Sequence, residues 1–246
     1  MSDRGRDIAA FLAAAGWDAA DRAPLAGDAS ARRYERLRLG AQSAVLMDAP
    51  PERGEDTRRF ELMDRWLCDR GYSAPRILAG DHARGLLLLE DLGDALVARL
   101  LASAPDRERT IYAAATDFLS DLHRHRPPAF AAALDGPALA GLTALTPDWY
   151  LRGIGAASSA AAYALPELVK ELYDRLNHAT PVLSLRDFHS ENLIWLPDRG
   201  GHARLGAARR RSAATRARSP RPSSRPASTR RSRSCSTRAR SASMAS

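Results

Sequence analysis

Arg186-Asp-Phe-His-Ser-Glu-Asn-Leu-Ile-Trp-Leu196 is the stretch on which the reading of this chain turns. A polar loop, Arg186 to Asn192, stands between two short apolar runs of β character, Pro181-Val-Leu-Ser-Leu185 and Leu193-Ile-Trp-Leu196. An Asp followed five positions later by an Asn, between two strands, sets a carboxylate beside a substrate hydroxyl and an amide oxygen on a cation. Phosphoryl transfer uses that pair, because its catalysis is mostly alignment of the nucleophile and neutralisation of phosphate charge. The same residue types also cap turns, so the spacing alone leaves both readings open.

Working towards the N-terminus, the order reads helix, hairpin, helix, two strands. Residues 6–15 predict a short helix and 17–21 a turn. Arg33-Tyr-Glu-Arg-Leu-Arg-Leu39 and Ser43-Ala-Val-Leu-Met-Asp48 predict a hairpin about Gly40. Just before them, Gly27, Asp28 and Ser30 allow a sharp bend with exposed amides. Phe60, Met63 and Leu67 repeat with helical spacing, which predicts an amphipathic helix over 56–70 closed by Gly71. Arg76-Ile-Leu-Ala79 and the fully apolar Leu86-Leu-Leu-Leu89 read as strands. After Asp94 the pattern turns helical: Ile111, Ala115, Phe118 and Leu122 share one face, and Leu165, Leu168, Val169, Leu172 and Leu176 another. Ala203-Arg-Leu205 begins a further strand, and there the pattern stops.

Charge marks the same break. The 246 residues carry a net +8, but positions 207–246 hold twelve Arg, eleven Ser and no acid. Positions 1–206 keep 25 basic against 29 acidic residues, a net of −4. The chain therefore reads as a mildly acidic globular part joined to a cationic tail, and 45% hydrophobic content excludes disorder throughout. Cys68 and Cys235 lie one in each part, which excludes a disulfide framework and fits a reducing cytoplasm. No apolar run approaches the ~20 residues that span a bilayer, so a membrane partner is not expected. Arg152-Gly-Ile-Gly-Ala-Ala-Ser158 lacks the strand-turn-helix setting of a dinucleotide fingerprint and reads as a helix breaker. His123 and His125 suit a helix C-terminus, and Trp66 and Trp149 read as packing residues.

Four segments in order, DAS-x-RRY, VLMDAPPE, LLLLEDLGD and RDFHSENLIWL, give the chain a resemblance over about residues 5–206. It resembles the aminoglycoside phosphotransferase and choline kinase type of small-molecule kinase, and within it the bacterial anomeric kinases of N-acetylmuramate and N-acetylglucosamine. The resemblance implies an α+β, two-lobed protein-kinase-like fold with a small sheet lobe over 1–94 and a truncated helical lobe over 95–206. It implies ATP and Mg2+ as cofactors and a small-molecule amino sugar or related alcohol as acceptor, with no specific nucleic acid as partner. Asp187 would be the base, Asn192 the metal ligand and His189 a substrate contact. Gly27, Asp28, Ala29 and Ser30 would cover the phosphates through their amides, and Glu90, Asp91 and Leu92 would form the hinge that pairs with adenine.

The sequence departs from the resembled pattern at two places. The strand 43–48 offers Met47 and Asp48 where a phosphate-binding lysine belongs. Arg32 or Arg33 supplies the charge, or this subfamily dispenses with it, and Glu61 then reads as a solvated helix residue. A D-F-x-D type motif should follow the catalytic loop, yet the last acid is Asp198. Its absence predicts weak metal binding, since hard cations need anionic oxygens. Residues 207–246 read as a disordered tail from a shifted reading frame, which begins in mid-strand. A remnant that only binds nucleotide, and nucleic-acid binding through the tail, are the alternative functions.

Overall fold

The computed structural model describes residues 3–25, 31–157, 159–176, 180–207 and 214–217. Helix α1, Asp3–Ala14, packs on a five-stranded antiparallel sheet of order β1-β2-β3-β5-β4. The strands are β1 Asp21–Pro24, β2 Arg33–Leu39, β3 Gln42–Asp48, β4 Ile77–Asp81 and β5 Leu86–Glu90. The β2–β3 hairpin runs in register from Arg33 opposite Asp48 to Leu39 opposite Gln42, and Gly40 takes the positive φ of 58° that its turn requires.

Both faces of the sheet are covered, which explains why Leu86 to Leu89 is apolar without alternation. Leu86 and Leu88 face α1 with Leu37, Ala44 and Leu46, against Ile8, Phe11 and Leu12. Leu87 and Leu89 face the other way with Tyr34, Met47 and Ala49. Each fully buried large side chain here contributes about 1.5–3 kcal/mol. Asp56 caps helix α2, Thr57–Cys68, by accepting from the amides of Arg58 and Arg59 at 3.0 and 3.1 Å. This helix joins two cores: Phe60 packs under the sheet, whereas Met63, Trp66 and Leu67 join the helical part.

The helical part contains α3 Val97–Ser103, α4 Glu108–Leu122, α5 Gly136–Thr143 and α6 Ala160–Leu176. Ile111, Ala115, Phe118 and Leu122 of α4 are buried, as their spacing predicts. They meet Leu183, Leu193, Trp195 and Leu205 from short strands. The two-residue β6, Ala132–Ala133, and β7, Pro181–Ser184, both pair with β10, Ala214–Ala217, while β8, Leu193–Trp195, pairs with β9, Leu205–Ala207. No helix among the described residues is long and apolar enough to cross a membrane.

Several expectations need correction. Residues 17–21 do not end in a turn alone, because β1 starts at Asp21 and pairs with β2. Ala203 and Arg204 lie in a 3-10 turn, and the strand starts at Leu205, opposite Trp195. The apolar row on α6 is not buried: Leu168 is 50%, Leu172 41% and Leu176 76% exposed. Helix α6 packs mainly on α5. Trp149, in a π-helical turn over Thr146–Leu151, is 75% exposed and does not pack, whereas Trp66 is buried. Of residues 207–246, only Ala207 and the four of β10 are described; the rest of that expectation falls outside the described residues.

Candidate active site

The loop between β7 and β8 is built by its own hydrogen bonds. Arg186 has φ 60°, the one non-glycine among the described residues in the left-handed region, at a cost of roughly 1–2 kcal/mol. The chain reverses there, and the Asp187 amide donates to Leu185 O at 2.8 Å. The amides of His189 and Asn192 donate to Asp187 O and His189 O at 3.2 and 2.8 Å. Asn192 Nδ2 donates to Asp187 O at 3.1 Å and lies 3.0 Å from His189 Nε2. Since Nδ2 is a donor, Nε2 accepts, and the imidazole proton is assigned to Nδ1. Asp187, His189 and Asn192 are thus brought together, with the amide oxygen as the Asn192 atom suited to a cation.

Phe188 anchors this loop to the core. Its ring stacks on Phe118 of α4 at 5.3 Å between centroids, and Phe118 in turn packs on Tyr72 at 4.9 Å. The Tyr72 hydroxyl donates to Asp121 at 2.6 Å. Burial and that carboxylate push the Tyr72 pKa up.

Between the sheet and the loop strands lies a cavity of about 120 Å³. Leu25, Tyr34, Val45 and Leu89 line it from the sheet, Leu92 from the segment after β5, and Leu96 and Ile194 from beyond it. Glu90 and Asp91 stand with Leu92 at its edge, so the three expected hinge residues border one cleft. Arg36 lies at the rim, with Nε 2.8 Å from Asp91 and Nη1 2.7 Å from Asp94. Burial opposes the Arg36 charge, but Asp94 and Asp91 outweigh it, so the guanidinium pKa is raised. Glu90 accepts from Arg199 Nη2 at 3.0 Å and from the Arg76 amide at 3.1 Å, and Arg199 also donates to Ser73 Oγ at 2.8 Å. Sequence reasoning missed both Arg36 and Arg199. Arg36 shares strand parity with Tyr34, a usable signal, whereas nothing local marks Arg199.

Gly27, Asp28, Ala29 and Ser30 lie outside the described residues. On β3, Val45 faces the cleft and Met47, two residues on, is fully buried beside its cross-strand partner Tyr34. Asp48 accepts from Arg4 Nε at 2.9 Å. Glu61 is not the solvated residue expected: its carboxylate lies 2.7 Å from His82 Nε2 and also pairs with Arg65. His82 Nδ1 meets Thr57 Oγ1 at 2.9 Å, so α2 turns Glu61 towards the β4–β5 hairpin.

A sheet and a helical part about a cleft, with a D-x-x-x-x-N loop beside it, is kinase-like geometry. The model of the phosphotransferase enzyme family matches residues 21–203. The chain belongs to that family. The N-acetylmuramate/N-acetylglucosamine kinase of Caulobacter vibrioides is 36% identical over 241 residues, covering 83% of this chain and 66% of that protein. The same-named kinase of Pseudomonas aeruginosa is 34% identical over 75% of this chain and 55% of its own length. The chain thus spans between about half and two thirds of these curated relatives. A choline/ethanolamine kinase family protein from Mesorhizobium loti superimposes with a TM-score of 0.51 at 16% identity, covering 86% of this chain and 66% of that one, which shows the fold. As a member of the phosphotransferase enzyme family, the chain has an α+β, kinase-like architecture, and β8, which follows the Asp187 loop, lines the cleft through Ile194.

Proposed function

We propose that this chain transfers the γ-phosphoryl group of ATP to a hydroxyl of an amino sugar, namely the anomeric hydroxyl of N-acetylmuramate or N-acetylglucosamine. The observation that carries the reading is the loop that ties Asn192 to Asp187 and leads into β8, whose Ile194 lines the cleft, in a chain about a third identical to kinases of that name. The sheet lobe, 1–94, binds nucleotide, and 95–206 presents the acceptor. The apolar walls, Val45 and Leu89 on one side and Leu92 and Ile194 on the other, suit a planar base. Glu90, Asp91 and Leu92 supply backbone groups to its edge, and Gly27, Asp28, Ala29 and Ser30 supply amides to the phosphates.

Asp187 orients the sugar hydroxyl and accepts its proton as the oxygen attacks the γ-phosphorus. The bond from that phosphorus to the β-phosphate oxygen breaks, and ADP leaves. His189 contacts the sugar. Magnesium, when bound, would neutralise phosphate charge with Asn192 as a ligand. Among the described residues no three His, Cys, Asp or Glu cluster, and no acid follows Asp198, so the ligands present fit the ion only in part. The reading places the chain in the cytoplasm, where ATP is supplied.

The same missing acid favours a second reading, a remnant that binds nucleotide without turnover. Incubating the chain with labelled ATP, magnesium and each amino sugar separates the two. The proposal expects sugar-dependent transfer to C1, and bound ATP with no labelled sugar would leave the remnant standing.

A further inference from the structure

β3 offers the cleft no lysine, since Met47 is fully buried and Asp48 pairs with Arg4, yet the phosphates of a nucleotide need a cation. Tyr34 and Arg36 line the cleft. Arg32 stands just before β2, with its guanidinium over Phe60, which packs on the same sheet face as Tyr34 and Met47. Arg33 falls on the opposite face and is exposed. Arg36 is committed to Asp91 and Asp94 at the hinge end, and Arg4 to Asp48 on the α1 side.

Arg32 is held in a built setting. Its Nε donates to Glu55 Oε2 at 2.5 Å, with both side chains only 12–13% exposed. Its guanidinium carbon lies 5.8 Å from the Phe60 ring centroid, a cation–π distance. Glu55 immediately precedes the Asp56 cap of α2, so the pair joins the start of β2 to the start of α2. The lysine–glutamate pair of protein kinases joins a sheet strand to the equivalent helix, and this arginine–glutamate pair makes a similar connection one strand away. A planar guanidinium also matches phosphate oxygens two at a time.

We propose that Arg32, oriented by Glu55, supplies the positive charge that binds the β- and γ-phosphates in place of the absent lysine. The assignment rests on the kinase reading above. It is tested by binding, without turnover: the affinities of the full chain for ATP and for adenosine are compared by calorimetry in wild type, Arg32→Ala, Arg32→Gln and Arg33→Ala. Arg32→Ala and Arg32→Gln are expected to weaken ATP at least tenfold while adenosine stays within twofold, and Arg33→Ala to change neither. Arg32→Gln keeps most of the stem, and unfolding curves establish that each variant compared is folded. Equal losses for ATP and adenosine would make Arg32 structural, and unchanged ATP affinity would remove it from the site. Wild-type protein that binds neither compound would overturn the kinase reading itself, and this assignment with it.

Discussion

Truncating Phe188 tests how the catalytic loop is held. Its ring is half-buried, stacked at 5.3 Å and 22° on Phe118 and packed against the α4 core. Such an aromatic pair is worth about 0.5–1.5 kcal/mol beyond its area. Half of the roughly 1.5–3 kcal/mol for a fully buried large side chain adds a similar amount. Phe188→Ala should therefore cost about 2 kcal/mol, or ~4–8 °C in Tm for a chain of this size. Phe188→Leu, which keeps volume without the ring stack, should recover about half. The loss should also reach Asp187, its neighbour: an error of about 1 Å at a reacting group costs up to ~100-fold in rate, so turnover should fall at least tenfold. Nucleotide affinity should hold, because Phe188 does not line the cleft. Differential scanning calorimetry and initial-rate kinetics read the two arms. An unchanged Tm in Phe188→Ala would show that the stack does not anchor the loop.

Tyr72→Phe removes the hydrogen bond to Asp121 and should cost about 1–2 kcal/mol near neutral pH. Because folding raises the Tyr72 pKa, that contribution is complete below the ordinary tyrosine value of about 10 and is lost as pH rises further. The stability difference between wild type and Tyr72→Phe should accordingly shrink above that value in urea titrations; a difference that grows with pH would contradict the assignment. The triple substitution Leu168→Glu, Leu172→Lys and Leu176→Lys should reduce concentration-dependent association in light scattering and leave Tm within a few degrees, since this row is exposed. A large fall in Tm would show that the row is covered. Translating the DNA downstream of codon 206 in the other two forward frames is expected to give an apolar strand, a D-F-x-D type motif and amphipathic helices. An absence of such an aspartate in both frames would make the arginine-rich tail a genuine part of the protein.

Elements with strong local pattern were legible. The β2–β3 hairpin, α2 and the buried face of α4 all follow from period and turn chemistry. The run Leu86 to Leu89 read correctly as a strand, and its lack of alternation matches a sheet covered on both faces. Asp21–Pro24 was missed because Asp-Arg-Ala-Pro has no alternation, and its strand state comes from pairing with β2. The α6 row had the right period, yet Leu168, Leu172 and Leu176 stay exposed, so amphipathicity located the helix and not its burial. At the site, the Asp187–Asn192 spacing was legible because both residues belong to one loop. Arg199 on Glu90, and Glu61 on His82, depend on contacts between segments far apart in the chain. No periodicity encodes such contacts.

Asp187→Asn gives the most direct test, with sugar phosphorylation and ATP affinity measured on the same preparation. Turnover should fall by two or more orders of magnitude, following the ~10²–10⁴-fold worth of a general base, while ATP affinity should change less than about threefold. Turnover equal to wild type would contradict the central claim that the carboxylate beside Asn192 takes the proton of the acceptor.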